Sequence, residues 1–339
     1  MSLTAIIPAA GVGTRLRPHT HSRPKALLPV AGKLVLGHIL DQLLEAGVDH
    51  VVLVLGYRGD MIAEWVAEAY PQLELDAVLQ TQRLGLGHAV FRALQDAHGG
   101  KGLRSGRGLI VLGDTIVRAD FNGLLAAEGH AMGVKAVEDP RRFGVAVVED
   151  GRIVDLEEKP AEPRSNLALV SVYAIQDLGV LYDALEAVIE AGQRTRGEFQ
   201  LTDGLQRLIE QGERLTPFPI GDWYDVGKEE TWLETNRALL DGQPAPPPPP
   251  GVSFVPPVYV PDSAQLENCR LGPYVSVGEN AEISGGTLEN SVVGEGARVR
   301  ECRLHDSLVG AHCLVEGLRG SLNLGDHSVV RGAPPDAES

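Results

Sequence analysis

The stretch "TAIIPAAGVGTRLRP", residues 4–18, joins a short apolar run to a glycine-containing loop with two arginines. The residues from Thr4 to Pro8 have the apolar character of a buried strand, and Gly11 and Gly13 permit a tight bend after it. A strand followed by such a loop can hold phosphate through backbone N–H groups. The spacing is neither G-x-x-x-x-G-K-[ST] nor G-x-G-x-x-G, which excludes a P-loop and the dinucleotide-binding fingerprint.

Strand-like and helix-like segments alternate from this stretch to about residue 240. Continuous apolar runs at 51–55 and 109–112 predict strands buried on both faces, with a further strand at 77–79. Apolar residues at helical spacing predict helices at 34–46, 61–69, 88–97, 178–191, 201–211 and 229–240. Residues 143–154 predict a hairpin. The alternation predicts an α/β domain with a Rossmann-like, mainly parallel sheet, whose functional residues lie at the carboxyl ends of strands.

Composition changes sharply after residue 240. The segment from Gln243 to Pro261 contains nine prolines and predicts a stiff linker. Beyond it, aliphatic residues recur every five or six positions, so groups of three recur every 16 or 17 residues. They stand at 260, 266, 271, 277, 283, 288, 293, 299, 304, 309 and 315. This rhythm predicts a left-handed β-helix of about four coils. The predicted domains are therefore 1–240, the linker 241–261, and the repeat domain 262–332.

Charge and cysteine content restrict the class of protein. The 339-residue chain has a net charge of −16, which argues against a nucleic-acid-binding surface. Its three cysteines cannot form a fully paired disulfide framework, and no apolar run approaches the ~18 residues of a membrane span. The sequence therefore predicts a cytoplasmic protein that binds neither nucleic acid nor membrane.

Several motifs together resemble the signature of the sugar-1-phosphate nucleotidyltransferase family. The segments GVGTRLRP at 11–18 and RPKALLPV at 23–30 match its long N-terminal motif. Further similar segments follow in family order: LGLGHA at 84–89, LGD at 112–114, FGV at 143–145, EKP at 158–160, RGEFQLTD at 196–203 and WYDVG at 223–227. The resemblance covers residues 4–240, and the added repeat resembles the long-form bacterial glucose-1-phosphate thymidylyltransferases and related uridylyltransferases.

The resemblance implies a role for each matching residue. Arg15 and Lys25 would be catalytic, stabilising the phosphates in the transition state. Nucleotide-binding residues would be Ala10, Gly11, Gly13, Thr14, Gln80 and Gly85. Sugar-phosphate-binding residues would be Gly144, Glu158, Lys159, Asn166 and Arg196. Asp114 and Asp225 would hold Mg²⁺, because hard oxygen ligands suit that ion.

The implied reaction joins a nucleoside triphosphate to a sugar 1-phosphate and releases pyrophosphate. The donor stays open between dTTP and UTP, with glucose 1-phosphate favoured as acceptor. One departure leaves the sugar open: Ser171 stands near Tyr173 where the family usually has glycine. Because all these motifs precede the linker, chain order predicts that residues 1–240 work without the repeat, which would serve as an oligomerisation or regulatory platform in a homo-oligomer.

Two other functions are compatible with the same two-part organisation. The repeat could be an acyltransferase, making the protein bifunctional, with His305, His312 and His327 available for that chemistry. Alternatively, the chain could be a non-catalytic regulatory or assembly relative. Such relatives tend to lose the site's Arg, Lys or Asp, whereas all four principal residues are present here.

Overall fold

The computed structural model describes residues 3–332. The helices are α1 (Val35–Glu45), α2 (Gly59–Ala69), α3 (Leu86–Gly100), α4 (Phe121–Ala126), α5 (Leu178–Glu190), α6 (Leu201–Glu210) and α7 (Glu229–Leu240). The strands as far as α7 are β1 (Thr4–Pro8), β2 (Pro29–Val30), β3 (Lys33–Leu34), β4 (His50–Leu55), β5 (Glu74–Leu79), β6 (Gly108–Val111), β7 (Thr115–Arg118), β8 (His130–Ala136), β9 (Gly144–Glu149), β10 (Arg152–Glu158), β11 (Leu167–Ile175), β12 (Leu215–Pro219) and β13 (Asp222–Asp225). The remaining strands are β14 (Ser253–Phe254), β15 (Val258–Tyr259), β16 (Gln265–Leu271), β17 (Val275–Val277), β18 (Glu282–Val293), β19 (Arg298–Val309), β20 (Leu314–Glu316), β21 (Arg319–Gly320), β22 (Asn323–Leu324) and β23 (Val329–Arg331).

The chain forms two compact units that do not follow its linear order. Of the described residues, the first unit contains 3–11 together with His38–Trp223. The second contains Val12–Gly37 together with 224–332. These compact units do not test whether 1–240 and 262–332 fold independently of each other. The division of the sequence into 1–240, 241–261 and 262–332 therefore stays a prediction.

A nine-stranded sheet organises the first unit. Its main order is β10-β9-β11-β6-β1-β4-β5, and β8 joins β11 to β12. The four strands β6, β1, β4 and β5 are parallel, so that Ile6 pairs with both Val52 and Ile110. All six residues of β4 are buried, as expected for a strand covered on both faces. The mainly parallel, Rossmann-like sheet predicted from the alternation is confirmed.

Antiparallel strands extend this sheet beyond β6. Strand β11 pairs antiparallel with β6, β8 and β9, and β9 pairs antiparallel with β10. The turn between β9 and β10 is formed by Asp150 and Gly151, both with positive φ, which confirms the predicted hairpin. The sequence patterns gave no separate bounds for β8 or β11.

Element boundaries moved by a few residues relative to the sequence predictions. Strand β5 begins at Glu74 rather than 77, and α2 begins at Gly59 rather than 61. Helix α3 extends from Leu86 to Gly100, but Ala97 and His98 have non-helical backbone angles. No helix within residues 3–332 combines the length and apolar character needed to cross a membrane.

Parallel strands stack through the repeat of the second unit. The predicted aliphatic positions form columns, because Ile283 pairs with Val299 and Val299 with Val315. Leu288 likewise pairs with Leu304. From Leu271 onward these residues are almost completely buried, as are the three free cysteines. The five-to-six-residue period therefore specifies which side chains fill the interior of the repeat.

Helix α7 and the β2–β3 hairpin complete the second unit. Asn236 is fully buried, and its Oδ1 accepts hydrogen bonds from Ala31 N (2.9 Å) and from Ser276 Oγ (2.7 Å). Trp232 Nε1 donates to the Pro29 carbonyl at 2.7 Å. The buried amide of Asn236 thus binds both the repeat and the hairpin that follows residues 12–28, which we call the signature loop.

Candidate active site

The carboxyl ends of β1 and β6 lie beside each other in the first unit. Gly113 N donates to the Pro8 carbonyl at 3.1 Å, and Ala9 N donates to the Val54 carbonyl at 2.8 Å. These bonds fix the start of the glycine loop, where Ala10 is half-buried and Gly11 is exposed. Carboxyl ends of parallel strands are the usual location of ligand sites in such sheets.

Asp114 directly follows this edge. It is half-buried between β6 and β7, and its Oδ1 accepts a hydrogen bond from Thr115 Oγ1 at 3.1 Å. Thr115 itself is 4% exposed. The carboxylate of Asp114 is therefore held by its neighbour at the carboxyl end of a buried strand.

Strand β11 has a bulge at Ser171. Its pairing with β8 shifts register between Leu169 and Tyr173, and Ser171 has φ +25°. The Ser171 carbonyl accepts from Leu112 N at 3.0 Å, two residues before Asp114. The left-handed backbone at Ser171 is one that favours glycine.

The predicted base-reading residues are close together in the first unit. Gln80 is 7% exposed, and its Nε2 donates to the Gly85 carbonyl at 3.1 Å and lies 3.1 Å from His88 Nδ1. Burial lowers the pKa of His88, an effect reinforced by the charge of Arg92, so His88 favours the neutral ring. The side-chain amide of Gln80 is thereby oriented by two contacts.

Gly85 is required by close packing against the segment that carries Arg196. Its φ is +114°, and a Cβ there would lie 2.4 Å from the Phe199 carbonyl oxygen. Phe199 N donates to the Leu84 carbonyl at 2.7 Å. The structure therefore joins the 80–88 segment to the 196–203 segment, which sequence order alone separates by more than a hundred residues.

A second group of predicted residues surrounds Glu158 at the end of β10. Glu158 pairs in register with Gly144 of β9. Glu158 Oε1 lies 3.0 Å from Lys159 Nζ, and Oε2 accepts from Thr202 Oγ1 at 2.7 Å. The side chain of Glu158 is 8% exposed, whereas that of Lys159 is 40% exposed. A buried carboxylate thus holds an ammonium that reaches solvent.

Lys159 and Arg196 share an unusual backbone geometry. Lys159 has φ +46° and Arg196 has φ +54°, in the left-handed region that larger side chains rarely occupy. Arg196 Nη2 donates to the Lys159 carbonyl at 2.5 Å. Strained backbone of this kind clusters at functional sites. Asn166 is exposed, and its carbonyl accepts from Val137 N at 3.0 Å.

The signature loop lies in the second unit and is built around Gly13. Gly13 has φ +67°, and a Cβ there would lie 3.0 Å from Thr20 Cγ2 and 3.3 Å from Lys25 Cβ. Thr20 Oγ1 donates to the Gly13 carbonyl at 2.8 Å. Leu16 is fully buried and anchors the following turn. This packing leaves Thr14 and Arg15, on the same turn, exposed to solvent.

Lys25 lies against Asp225 within the same unit. The distance from Lys25 Nζ to Asp225 Oδ1 is 3.2 Å, and the Lys25 side chain is only 11% exposed. Asp225 is 45% exposed and folds back over Gly227, where a Cβ would lie 2.4 Å from Asp225 Oδ2. A glycine after Asp225 is therefore needed for this carboxylate orientation.

The structure groups the predicted residues by unit. The first contains Ala10, Gly11, Gln80, Gly85, Asp114, Gly144, Glu158, Lys159, Asn166 and Arg196, and the second contains Gly13, Thr14, Arg15, Lys25 and Asp225. Sequence reasoning did not single out Thr20 or Thr202, which hold Gly13 and Glu158. Both stand inside quoted or adjacent motifs, so their motif context was the available signal.

A separate cluster lies at the amino ends of β4 and β5. His50 Nε2 is 3.0 Å from Asp76 Oδ2, and His98 Nδ1 is 3.6 Å from the same oxygen. The two imidazole rings stack with centroids 4.6 Å apart and planes inclined by 17°. Nearly parallel rings cannot direct both in-plane lone pairs at one ion, so this arrangement is a packed histidine pair.

Comparison with known proteins identifies a family match over most of the chain before the linker. The family model described as nucleotidyl transferase matches residues 4–242. A glucose-1-phosphate thymidylyltransferase from Streptomyces griseus is 32% identical, covering 96% of this chain and 98% of that protein. The bifunctional protein GlmU from Methanocaldococcus jannaschii is 34% identical, covering 70% of this chain and 55% of that protein. A crystal structure of UDP-glucose pyrophosphorylase with UDP-glucose has a TM-score of 0.61 at 23% identity, covering 72% of this chain and 100% of that one.

Proposed function

The chain belongs to the nucleotidyl transferase family, and on that basis we propose that it is a sugar-1-phosphate nucleotidyltransferase. It transfers a nucleotidyl group from a nucleoside triphosphate to a sugar 1-phosphate and releases pyrophosphate. The favoured donor is dTTP or UTP, and the favoured acceptor is glucose 1-phosphate. The observation that carries this proposal is the signature loop, in which packed Gly13 leaves Arg15 exposed and Lys25 is paired with Asp225.

The chemistry requires positioning and positive charge more than a strong base. The attacking oxygen belongs to the sugar phosphate, which is already an anion at neutral pH, so no covalent enzyme intermediate is needed. It attacks the α-phosphorus in line as pyrophosphate leaves. The barrier arises from repulsion between two polyanions and from charge on the α-phosphoryl oxygens, which fixed cations reduce.

Arg15 and Lys25 provide these cations on the donor side. Exposed Arg15 contacts the β- and γ-phosphates and stabilises the departing pyrophosphate. Lys25 bridges the α-phosphoryl group and the leaving group, and Asp225 orients its ammonium from 3.2 Å. Backbone N–H groups around Gly11 and Gly13, with Thr14, approach the triphosphate because glycine leaves room for close contact.

Lys159 and Arg196 bind the sugar phosphate on the acceptor side. The Arg196 guanidinium donates to the Lys159 carbonyl, and the Lys159 ammonium pairs with Glu158, so contacts within one group of residues orient both cations. Glu158, held by Thr202, accepts hydrogen bonds from sugar hydroxyls, with Gly144 and Asn166 beside the ring. Binding of this kind positions the nucleophile before the reaction, which contributes much of the rate enhancement in bimolecular reactions.

The contacts of Gln80 support the proposed preference for thymine or uracil. Its Nε2 is engaged by Gly85 and His88, which leaves Oε1 as an acceptor for the base. Thymine and uracil carry a donor at N3–H, whereas cytosine carries an acceptor at N3. With cytosine, N3 and Gln80 Oε1 would both be acceptors and neither would have a hydrogen bond, so cytosine is disfavoured.

We propose that Asp114 and Asp225 hold a divalent cation, Mg²⁺, as the resemblance to the family implies. Carboxylate oxygens are the hard ligands that Mg²⁺ prefers, and Mg²⁺ needs only one or two of them beside phosphate oxygens. When bound, the ion neutralises phosphate charge during the transfer. Thr115 fixes the Asp114 carboxylate and Lys25 fixes that of Asp225, so each ligand is oriented by this chain's own residues.

The repeat is proposed to coil as a left-handed β-helix. The support comes from its parallel strands and aliphatic columns such as Ile283–Val299–Val315. A short stack of coils has ends that must be covered, and a second copy of the chain would cover one, so a homo-oligomer is proposed. A cytoplasmic location accords with the substrates and with the free, buried cysteines.

A substrate panel tests the proposal. The full chain is incubated with Mg²⁺, each of five triphosphates (dTTP, UTP, CTP, ATP, GTP) and glucose 1-phosphate, galactose 1-phosphate or N-acetylglucosamine 1-phosphate, and pyrophosphate release is measured. Fastest release with dTTP or UTP and glucose 1-phosphate supports the assignment. Release only from ATP or GTP would overturn the base assignment, and no release from any pair would favour the non-catalytic relative.

The bifunctional alternative needs a separate measurement. The observation that favours this alternative is the similarity to the bifunctional protein GlmU, which extends over 70% of this chain. Incubation with acetyl-CoA and glucosamine 1-phosphate, followed by detection of free thiol, measures acyl transfer. In the repeat, His305 is exposed beside Asp306, while the rings of His312 and His327 stack 5.2 Å apart. We expect no thiol release above the rate without protein.

A further inference from the structure

The repeat contacts the signature loop directly within the second unit. Asp326, in the turn between β22 and β23, accepts hydrogen bonds from Ser22 Oγ at 2.7 Å and from Arg23 Nε at 3.2 Å. Its other oxygen accepts from Ala311 N at 2.8 Å. The Asp326 side chain is 7% exposed. One buried carboxylate of the repeat therefore binds two consecutive loop residues and the repeat backbone.

A second contact lies beside the first. His19 Nε2 is 2.6 Å from Asn323 Oδ1, and the His19 ring also packs edge-on against Trp232 at a centroid distance of 5.0 Å. His19 is 2% exposed. A void of about 10 Å³ remains between the loop and the repeat, no more than one water needs. The loop and the repeat are thus closely packed.

These contacts hold the middle of the 12–28 loop, between the proposed catalytic cations Arg15 and Lys25. His19 precedes Thr20, whose hydroxyl holds the Gly13 carbonyl at 2.8 Å. Arg23 is followed by Pro24, which restricts the backbone of both residues, and then immediately by Lys25. After Lys25, Leu27 and Leu28 are buried. Only Pro24 separates Arg23, which donates to Asp326, from Lys25. A shift of Arg23 would therefore also displace Lys25.

We propose that Asp326 and Asn323 of the repeat are positioning residues for nucleotidyl transfer, holding the 12–28 loop in its reactive conformation. This inference rests on the proposed function for its effect on turnover. It reverses the expectation from chain order that residues 1–240 work without the repeat. The repeat then has a role in catalysis without contributing a side chain that touches the substrates.

The test compares Asp326→Asn with Asp306→Asn in the full chain. Asp306 is an exposed carboxylate on the same repeat that bonds Asn290 and His305 rather than the loop. At a temperature well below both unfolding midpoints, we expect Asp326→Asn to lower kcat about tenfold with KM for glucose 1-phosphate nearly unchanged. Asp306→Asn should match wild type. A merely structural role would lower the unfolding midpoint and leave kcat at low temperature intact.

Hydrogen exchange provides a readout that does not depend on activity. Amides of residues 12–28 should exchange about tenfold faster in Asp326→Asn than in Asp306→Asn, with the amides of β18 unchanged. If exchange in 12–28 or kcat stays at the wild-type value, the inference is overturned. A wild-type protein without turnover on every substrate pair contradicts the proposed function instead, and faster exchange would still support the anchoring of the loop.

Milder variants cover the case in which Asp326→Asn does not fold. Ser22→Ala and Asn323→Ala each remove one hydrogen bond between the loop and the repeat without leaving a buried charge unpaired. Each should lower kcat several-fold, and the double variant should combine the two losses. Wild-type kcat in both single variants and in the double variant would contradict the inference.

Discussion

Lys25 Nζ lies 3.2 Å from Asp225 Oδ1, although 200 positions separate the two residues in the sequence. The contact joins the proposed phosphate-binding cation to a proposed metal ligand inside the second unit. Since the Lys25 side chain is largely buried, the carboxylate both compensates its charge and fixes its direction. This pair links the N-terminal signature to the segment that precedes α7.

Lys25→Ala should lower kcat on the order of 10²–10³-fold, because a preorganised cation at the developing charge is removed. Initial rates of pyrophosphate release at saturating substrates measure this loss. Lys33→Ala is the matched control, since Lys33 is an exposed lysine on the hairpin of the same unit. Equal rates in the two variants would refute a catalytic role for Lys25.

Asp114→Asn and Asp225→Asn should each raise the Mg²⁺ concentration needed for half-maximal rate by at least tenfold, because an amide is a weaker ligand for a hard cation. Titration of activity with Mg²⁺ gives this value. Asp222→Asn serves as control, because Asp222 is a half-exposed residue of β13 that lies 3.8 Å from Arg118. An unchanged Mg²⁺ requirement in both site variants would exclude them as ligands.

Lys159→Ala and Arg196→Ala should raise KM for the sugar phosphate about tenfold or more and leave KM for the triphosphate nearly unchanged. Each removes a cation that we place on the acceptor phosphate. Arg164→Ala tests for general charge effects, because Arg164 is an exposed arginine paired with Glu157. A rise confined to the triphosphate KM would reverse the assignment.

Ser171→Gly should stabilise the protein by about 1 kcal/mol, because glycine adopts the positive φ of the bulge without a steric penalty. Ser171→Ala is the control at the same position: it keeps Cβ and should give no gain. Urea denaturation of the three proteins measures the difference. A more stable alanine variant would show that the hydroxyl, rather than the backbone, determines the cost.

Burial lowers the pKa of His19, and the hydrogen bond that His19 donates to Asn323 Oδ1 only partly offsets that effect. In the unfolded chain His19 binds a proton near pH 6.5, whereas in the folded chain it does so only at lower pH. The free energy of unfolding is therefore highest above pH 6.5 and decreases as the pH falls below that value. His19→Gln should weaken this decline, and His21→Gln, at an exposed position, should not. The check is urea denaturation at pH 8, 7, 6 and 5, where an identical decline in His19→Gln and wild type would contradict this explanation.

Local sequence was sufficient for much of the fold. Runs such as 51–55 predicted buried parallel strands, because a strand covered on both faces needs apolar residues on both. The period of the repeat predicted which side chains are interior, and Leu288 and Val299 are indeed fully buried. The ordered motifs identified the family and the class of enzyme, both of which the comparisons confirm. The roles of individual site residues stay predictions.

Only the tertiary structure decided how distant segments combine. Chain order groups residues 12–37 with the α/β domain, whereas packing places them in one compact unit with the repeat. Neither the bond from Ser22 to Asp326 nor that from Lys25 to Asp225 leaves a local pattern, because each joins residues 200 or more positions apart. Periodicity and turn chemistry report on the neighbours of a residue along the chain, but long-range contacts depend on how complete elements pack, which no short window of sequence specifies.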